Sequence, residues 1–107
     1  MKDDRPYIDH ILQAISKIKK YSASLTKDQF ENDELIQDAV IRNIEIIGEA
    51  TKNLSKEFKK DHSEIPWRAM SGMRDKLIHD YVGVDFDVVW ETIREDIPIL
   101  EDLLKDL

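Results

Sequence analysis

The side chains of this sequence that could carry chemistry gather in one stretch, Met73-Arg74-Asp75-Lys76-Leu77-Ile78-His79-Asp80-Tyr81. It places a fixed cation, a titratable imidazole and a phenol within a short span. On a continuous helix at roughly 100° per residue, Tyr81 falls almost over Arg74. Arg74 and His79 then stand roughly 140° apart, flanking a groove rather than touching. A phosphate suits that groove. Arginine grips two of its oxygens at once, while an imidazole, titrating near neutral pH, moves a proton. Asp75 stands four residues before His79, the helical spacing at which a carboxylate orients the ring and raises its basicity. The same residues admit a structural reading, with Arg74 and Asp75 as solvated charges and His79 complementing the negative end of a helix.

Other chemistries find little support. The absence of Cys removes disulfides and thiolate metal sites. Neither His-x-x-x-His nor Glu-x-x-His spacing occurs, so the expected metal content is none. A glycine-rich phosphate loop is missing as well. The carboxylates scatter over polar faces, and His10 and His62 read as ordinary surface residues. The net charge of −7 opposes an anionic ligand when taken over the whole chain. Its distribution is less hostile. Residues 52–76 carry seven basic and four acidic groups, whereas residues 85–107 carry two and eight. The middle segment would therefore meet an anion, although Lys56, Lys59 and Lys60 read equally well as charges solvating a helix end.

The elements that must position these residues are helical. A chain of 107 residues supports one modest core, so 1–107 is read as a single domain. With 41% hydrophobic and 36% charged residues it has the balance of a folded globule. It carries no run of roughly 20 apolar residues for a membrane span and no signal-peptide pattern near the first residue. No membrane partner is expected, and the expected location is cytoplasmic.

The first helix starts near Asp4 and Pro6, with Asp4 as its cap and Ile8, Ile11, Leu12, Ile15 and Ile18 as its apolar stripe. Thr26 and Gln29 have the spacing of a capping box. A second helix runs from about Asp33 to Leu54 on Ile36, Val40, Ile44, Ile47 and Leu54, widened by Leu35, Ala39 and Ile46. On its polar side Arg42, Glu45, Glu49 and Lys52 are spaced to pair along the surface; alternatively Arg42 turns toward a substrate pocket. Ser55 caps a brief turn around Phe58, and the chain breaks at 63–66. Pro66 and Trp67 open a third helix with Trp67, Met70, Met73 and Leu77 in the core, ended by Gly83. Asp85 caps the last helix, on Phe86, Val89, Trp90, Ile93, Ile97, Leu100 and Leu104, with Pro98 expected to kink it. The expectation is an all-α, up-and-down four-helix bundle. So small a bundle buries little area, and packing of a second copy against it would help.

Arg74-x-x-x-x-His79-x-Tyr81, with polar Asp75 after the arginine, resembles the signature of the HEPN superfamily and specifically its HepT toxin branch. Two further blocks carry the resemblance: Arg42-Asn43-Ile44-Glu45-Ile46-Ile47-Gly48-Glu49-Ala50 on the second helix, and Ile65-Pro66-Trp67 before the motif with Gly83-Val84-Asp85 after it. Together they span nearly the whole chain. The resemblance implies a homodimer with a composite cleft at its two-fold interface and a metal-independent endoribonuclease of a type VII-like toxin–antitoxin pair. Arg74 and His79 would be catalytic and Asp75 supporting, with Arg42, Arg68 and Lys76 as candidate contacts to RNA phosphates. It further implies a partner nucleotidyltransferase antitoxin that transfers AMP from ATP to Tyr81, the chain itself needing no cofactor. Some HEPN proteins are instead non-catalytic nucleotide-binding or scaffolding partners of a nucleotidyltransferase. In that alternative Arg74 and His79 would bind a nucleotide without turnover.

Overall fold

The computed structural model describes residues 3–79 and 83–107, with the backbone alone at Ile78 and His79. Eight helices are present among them: α1 (Arg5–Ser22), α2 (Lys27–Glu31), α3 (Glu34–Asn53), α4 (Lys56–Asp61), α5 (Trp67–Ser71), α6 (Met73–Leu77), α7 (Phe86–Glu91) and α8 (Ile97–Leu104). A π-helical turn, Thr92–Asp96, joins α7 to α8, and two strands of two residues, β1 (Ile78–His79) and β2 (Gly83–Val84), lie between α6 and α7. The fold is all-α, as the apolar periodicity predicts. None of these helices is long and apolar enough to cross a membrane.

Side-chain contacts give the direction of each rod. Asp4 at the start of α1 meets Ser55 just beyond α3, so these two helices run antiparallel. Arg5 donates to the Leu107 carbonyl, Lys19 pairs with Glu101, and Arg94 donates to the Leu25 carbonyl. The last rod therefore also runs against α1. Arg74 meets Glu45 while Gly48 lies under Ser71, which sets α5 and α6 against α3. Four rods in up-and-down order result.

The stripes explain the core. Ile8, Ile11, Ile15 and Ile18 of α1 face Val40, Ile44 and Ile47 of α3, all fully buried. Each such side chain contributes about 1.5–3 kcal/mol of hydrophobic transfer. Val89, Ile93, Ile97, Leu100 and Leu104 close the core from the last rod. Leu35, expected to widen the α3 stripe, is instead 79% exposed, one residue inside a helix start whose buried face is taken by Gln37 and Val40. The buried Gln37 amide donates to the carbonyls of Phe30 and Glu31, satisfying the end of α2.

Caps follow the residue types with one exception. Thr26 and Gln29 form the reciprocal capping box, Asp33 accepts from the Ile36 N–H, and Ser55 from the Phe58 N–H. Asp85 accepts from the Asp87 and Val88 N–H groups. Asp4, however, makes no capping bond to α1. Its carboxylate accepts at 2.7 Å from both the N–H and the hydroxyl of Ser55, two donors that outcompete a single cap bond and staple α1 to the start of α4.

Two expectations about helix continuity need correction. The third helix does not run from Pro66 to Gly83: it turns at Gly72 and stops at Leu77. Glycine is a poor helix former, and Ile78 and Val84, on either side of the turn, are β-branched residues that favour extended backbone. Ile78 pairs antiparallel with Val84 and His79 with Gly83. Gly83 adopts φ +85, a left-handed conformation open to glycine. At Pro98 the interruption falls before the proline: the Ile97 N–H reaches back five residues to the Thr92 carbonyl, a π turn that accommodates the missing proline donor downstream.

Candidate active site

The motif begins on α6, whose five residues divide sharply. Met73 and Leu77 are buried at 6% and 1% exposure and clamp the turn to the core. Arg74, Asp75 and Lys76 are exposed. Beneath this segment α3 approaches closely. A Cβ at Gly48 would lie 3.3 Å from the Ser71 carbonyl oxygen, so the glycine lets α5 sit directly on α3.

Arg74 reaches across to α3, its Nε lying 3.3 Å from Oε2 of Glu45, with the two side chains 50% and 34% exposed. Sequence spacing had suggested that Glu45 pairs along its own helix; its ion-pair partner here comes from α6 instead. Glu49 and Lys52 do approach each other as expected, at 3.9 Å. Register alone could not reveal the Arg74–Glu45 pair, because it depends on how two distant elements dock.

The end of α6 at Leu77 changes the geometry of the motif. Asp75 and His79 do not share a helix, so the four-residue helical spacing that would let Asp75 orient the imidazole is lost. His79 instead sits on β1, opposite Gly83. With about 1.5 Å of rise per helical residue and 3.3 Å per strand residue, its Cα stands at most about 11 Å along the chain from that of Arg74. The His79 side chain and all of Tyr81 lie outside the described residues.

The other candidate phosphate contacts spread over neighbouring elements. Arg42 is exposed on α3 one turn before Glu45, Arg68 is exposed on α5, and Lys76 is exposed on α6. Lys76 also edges an apolar groove of about 160 Å³ between α5–α6 and the last rod, floored by Met70, Met73 and Leu100. His10, read from sequence as plain surface, lines a second groove of about 290 Å³ with Lys17, Gln13 and Asn43. His62 packs on the Phe58 ring at 4.6 Å, a structural contact. Among the described residues no group of three or more His, Asp or Glu side chains is placed to hold a metal ion.

Comparison with known proteins identifies the family. The family model described as "Ribonuclease HepT-like" matches residues 11–107. The chain is 46% identical over its full length to "Putative RNase TTE0752" of Caldanaerobacter subterraneus, covering 96% of that protein. It is 46% identical over 99% of its length to "Probable ribonuclease HepT" of Thermococcus cleftensis, again covering 96% of the relative. A third relative, "Gamma-glutamylcyclotransferase and putative RNase MJ0434" of Methanocaldococcus jannaschii, is 49% identical over 97% of the chain, which spans 47% of that longer protein. No solved structure matches significantly. The family model and these matches run along almost the whole chain: the chain belongs to the HepT-like ribonuclease family.

Proposed function

We propose that this chain is the ribonuclease toxin of a toxin–antitoxin pair, cleaving RNA without a metal ion in a cleft between two copies. The observation that carries the reading is the half-exposed guanidinium of Arg74 on α6, held beside Glu45 of α3 and followed five residues later by His79. Metal-free cleavage uses the RNA 2′-hydroxyl as nucleophile. A base takes its proton as the oxygen attacks phosphorus, an acid protonates the departing 5′-oxygen, and a cation stabilises the charge on the phosphorane. One copy offers a single motif histidine. Two copies related by a two-fold axis supply two His79 and two Arg74, enough for base, acid and clamp. Arg42, Arg68 and Lys76 would hold flanking phosphates, and Asp75 would support the site by its charge rather than by orienting His79 along a helix.

Regulation in this proposal falls on Tyr81. A nucleotidyltransferase antitoxin transfers AMP from ATP to the phenol oxygen, which gives up its proton as pyrophosphate leaves. The added phosphodiester competes for Arg74 and the purine fills the cleft. The test is RNA cleavage by the purified chain in EDTA, expected to yield ends with a cyclic phosphate or its hydrolysed 3′-phosphate. Arg74→Ala and His79→Ala each abolish it. Cleavage that persists in His79→Ala overturns the proton-transfer role. Nucleotide binding with no cleavage in the wild type would point to the non-catalytic partner reading instead. Intact-mass measurement with the antitoxin and ATP should add AMP to wild type and none to Tyr81→Phe.

A further inference from the structure

We propose that Glu45, which lies outside the motif, is a positioning residue for Arg74; the inference rests on the ribonuclease reading above. Arginine has a long, rotatable side chain, and α6 is a helix of five residues. An arginine so mounted and half exposed would sample many rotamers, which weakens a phosphate clamp that depends on placement. Glu45 supplies the missing anchor. Ile44 beside it and Ile47 two residues on are fully buried and Asn43 is 6% exposed, so the carboxylate projects from a helix well embedded in the core. It meets Arg74 through the inner nitrogen, Nε, at 3.3 Å. The outer edge of a guanidinium carries further N–H donors, so an arginine held at Nε still has a fork to offer a phosphate.

An ion pair this exposed adds little to stability. Its effect is on direction. The same carboxylate also repels an incoming phosphate, so Glu45 weakens substrate attraction while improving alignment. That opposition makes the role separable from a structural one: removing the carboxylate slows turnover without weakening binding.

The experiment measures kcat and KM for cleavage of a short RNA in EDTA by wild type, Glu45→Gln, Glu45→Ala, Arg74→Lys and the Glu45→Ala/Arg74→Lys double variant. Glu45→Ala is expected to lower kcat about tenfold with KM unchanged or lower, and Glu45→Gln to fall between. A lysine ammonium at position 74 cannot hold Glu45 and still offer a separate fork to a phosphate, so adding Glu45→Ala to Arg74→Lys should change kcat less than about twofold. Wild-type kcat in Glu45→Ala, or an equal loss in both backgrounds, overturns the proposal. Wild type that leaves RNA intact overturns the ribonuclease reading. The Arg74 Nε–H NMR signal then reports the geometry separately: slow solvent exchange lost in Glu45→Ala supports the anchor, and no change between the two refutes it.

Discussion

Two regions of this protein solve different problems. The α1–α3 pair is long, regular and stitched by isoleucines that are fully buried along both helices. The segment from α5 through β2 is a chain of short pieces: two helices of five residues, then two strands of two. The first region has many redundant contacts and contributes to the site only from its surface, through Glu45 and Arg42. The second rests on a few buried anchors, Trp67, Met70, Met73 and Leu77, and presents its charged residues outward. The contrast teaches that the long helices provide stability, while the short pieces provide directions that one straight helix would not allow.

The largest expected effect would sharpen this division. Ile15→Ala or Ile44→Ala, each removing a fully buried side chain, should cost about 2–5 kcal/mol and lower the midpoint of urea unfolding accordingly. Arg74→Ala, on an exposed turn, should leave that midpoint nearly unchanged while abolishing RNA cleavage. Equal destabilisation by both substitutions would break the comparison.

Glycines in the short-piece region give the intermediate test. Gly83→Ala meets no atom within 4 Å, so its cost arises from φ +85 alone, about 1–2 kcal/mol by thermal unfolding. Because Gly83 pairs with His79, cleavage should fall as well. Gly48→Ala should leave the melting temperature close to that of wild type, since the helix-propensity gain of about 1 kcal/mol offsets crowding against the Ser71 carbonyl. Activity should still drop, because the strain is relieved by moving α5 and the Arg74 turn behind it.

The smallest effect concerns Lys27 and Asp87, whose pair joins α2 to α7 at 2.7 Å. The hydrogen bond from Lys27 holds the Asp87 carboxyl below its ordinary value, and both groups are fully exposed. The depressed folded-state pKa means that the contribution is present above the usual carboxylate range and lost as pH falls through the depressed value. Lys27→Ala should flatten the acid limb of the stability curve only marginally.

How much of this was readable in the residues depended on the range of the interaction. Caps at Thr26, Ser55 and Asp85 are local, and the residue types announced them. The α1 and α3 stripes were legible because burial repeats with the helical period. Leu35 misled, since an apolar residue in a first turn has no guarantee of a neighbour. Asp4 misled for a long-range reason: Ser55, fifty-one residues away, offered it two donors. At the site, Arg74 and His79 could be singled out by type and spacing, but their relative geometry could not. The β-branched residues after Leu77 carried the signal for extended backbone, and an uninterrupted helical reading overlooked it. Glu45 was visible as a charge, while its partner depended on how α6 docks.

The short ladder between α6 and α7 has a consequence for variation in length. The Asp85 N–H donates to the Leu77 carbonyl at 2.8 Å, and with Ile78–Val84 and His79–Gly83 it forms a neck that closes on itself. Closing a loop costs free energy that grows only with the logarithm of its length, about 0.6 kcal/mol for each doubling. Residues inserted between His79 and Gly83 would therefore burden the fold little so long as the neck is kept. An insertion on the α6 side, between Arg74 and Leu77, would rotate the arginine away from Glu45 by about 100° per residue. Length tolerance should thus be lopsided about His79, generous on one side and nearly absent on the other.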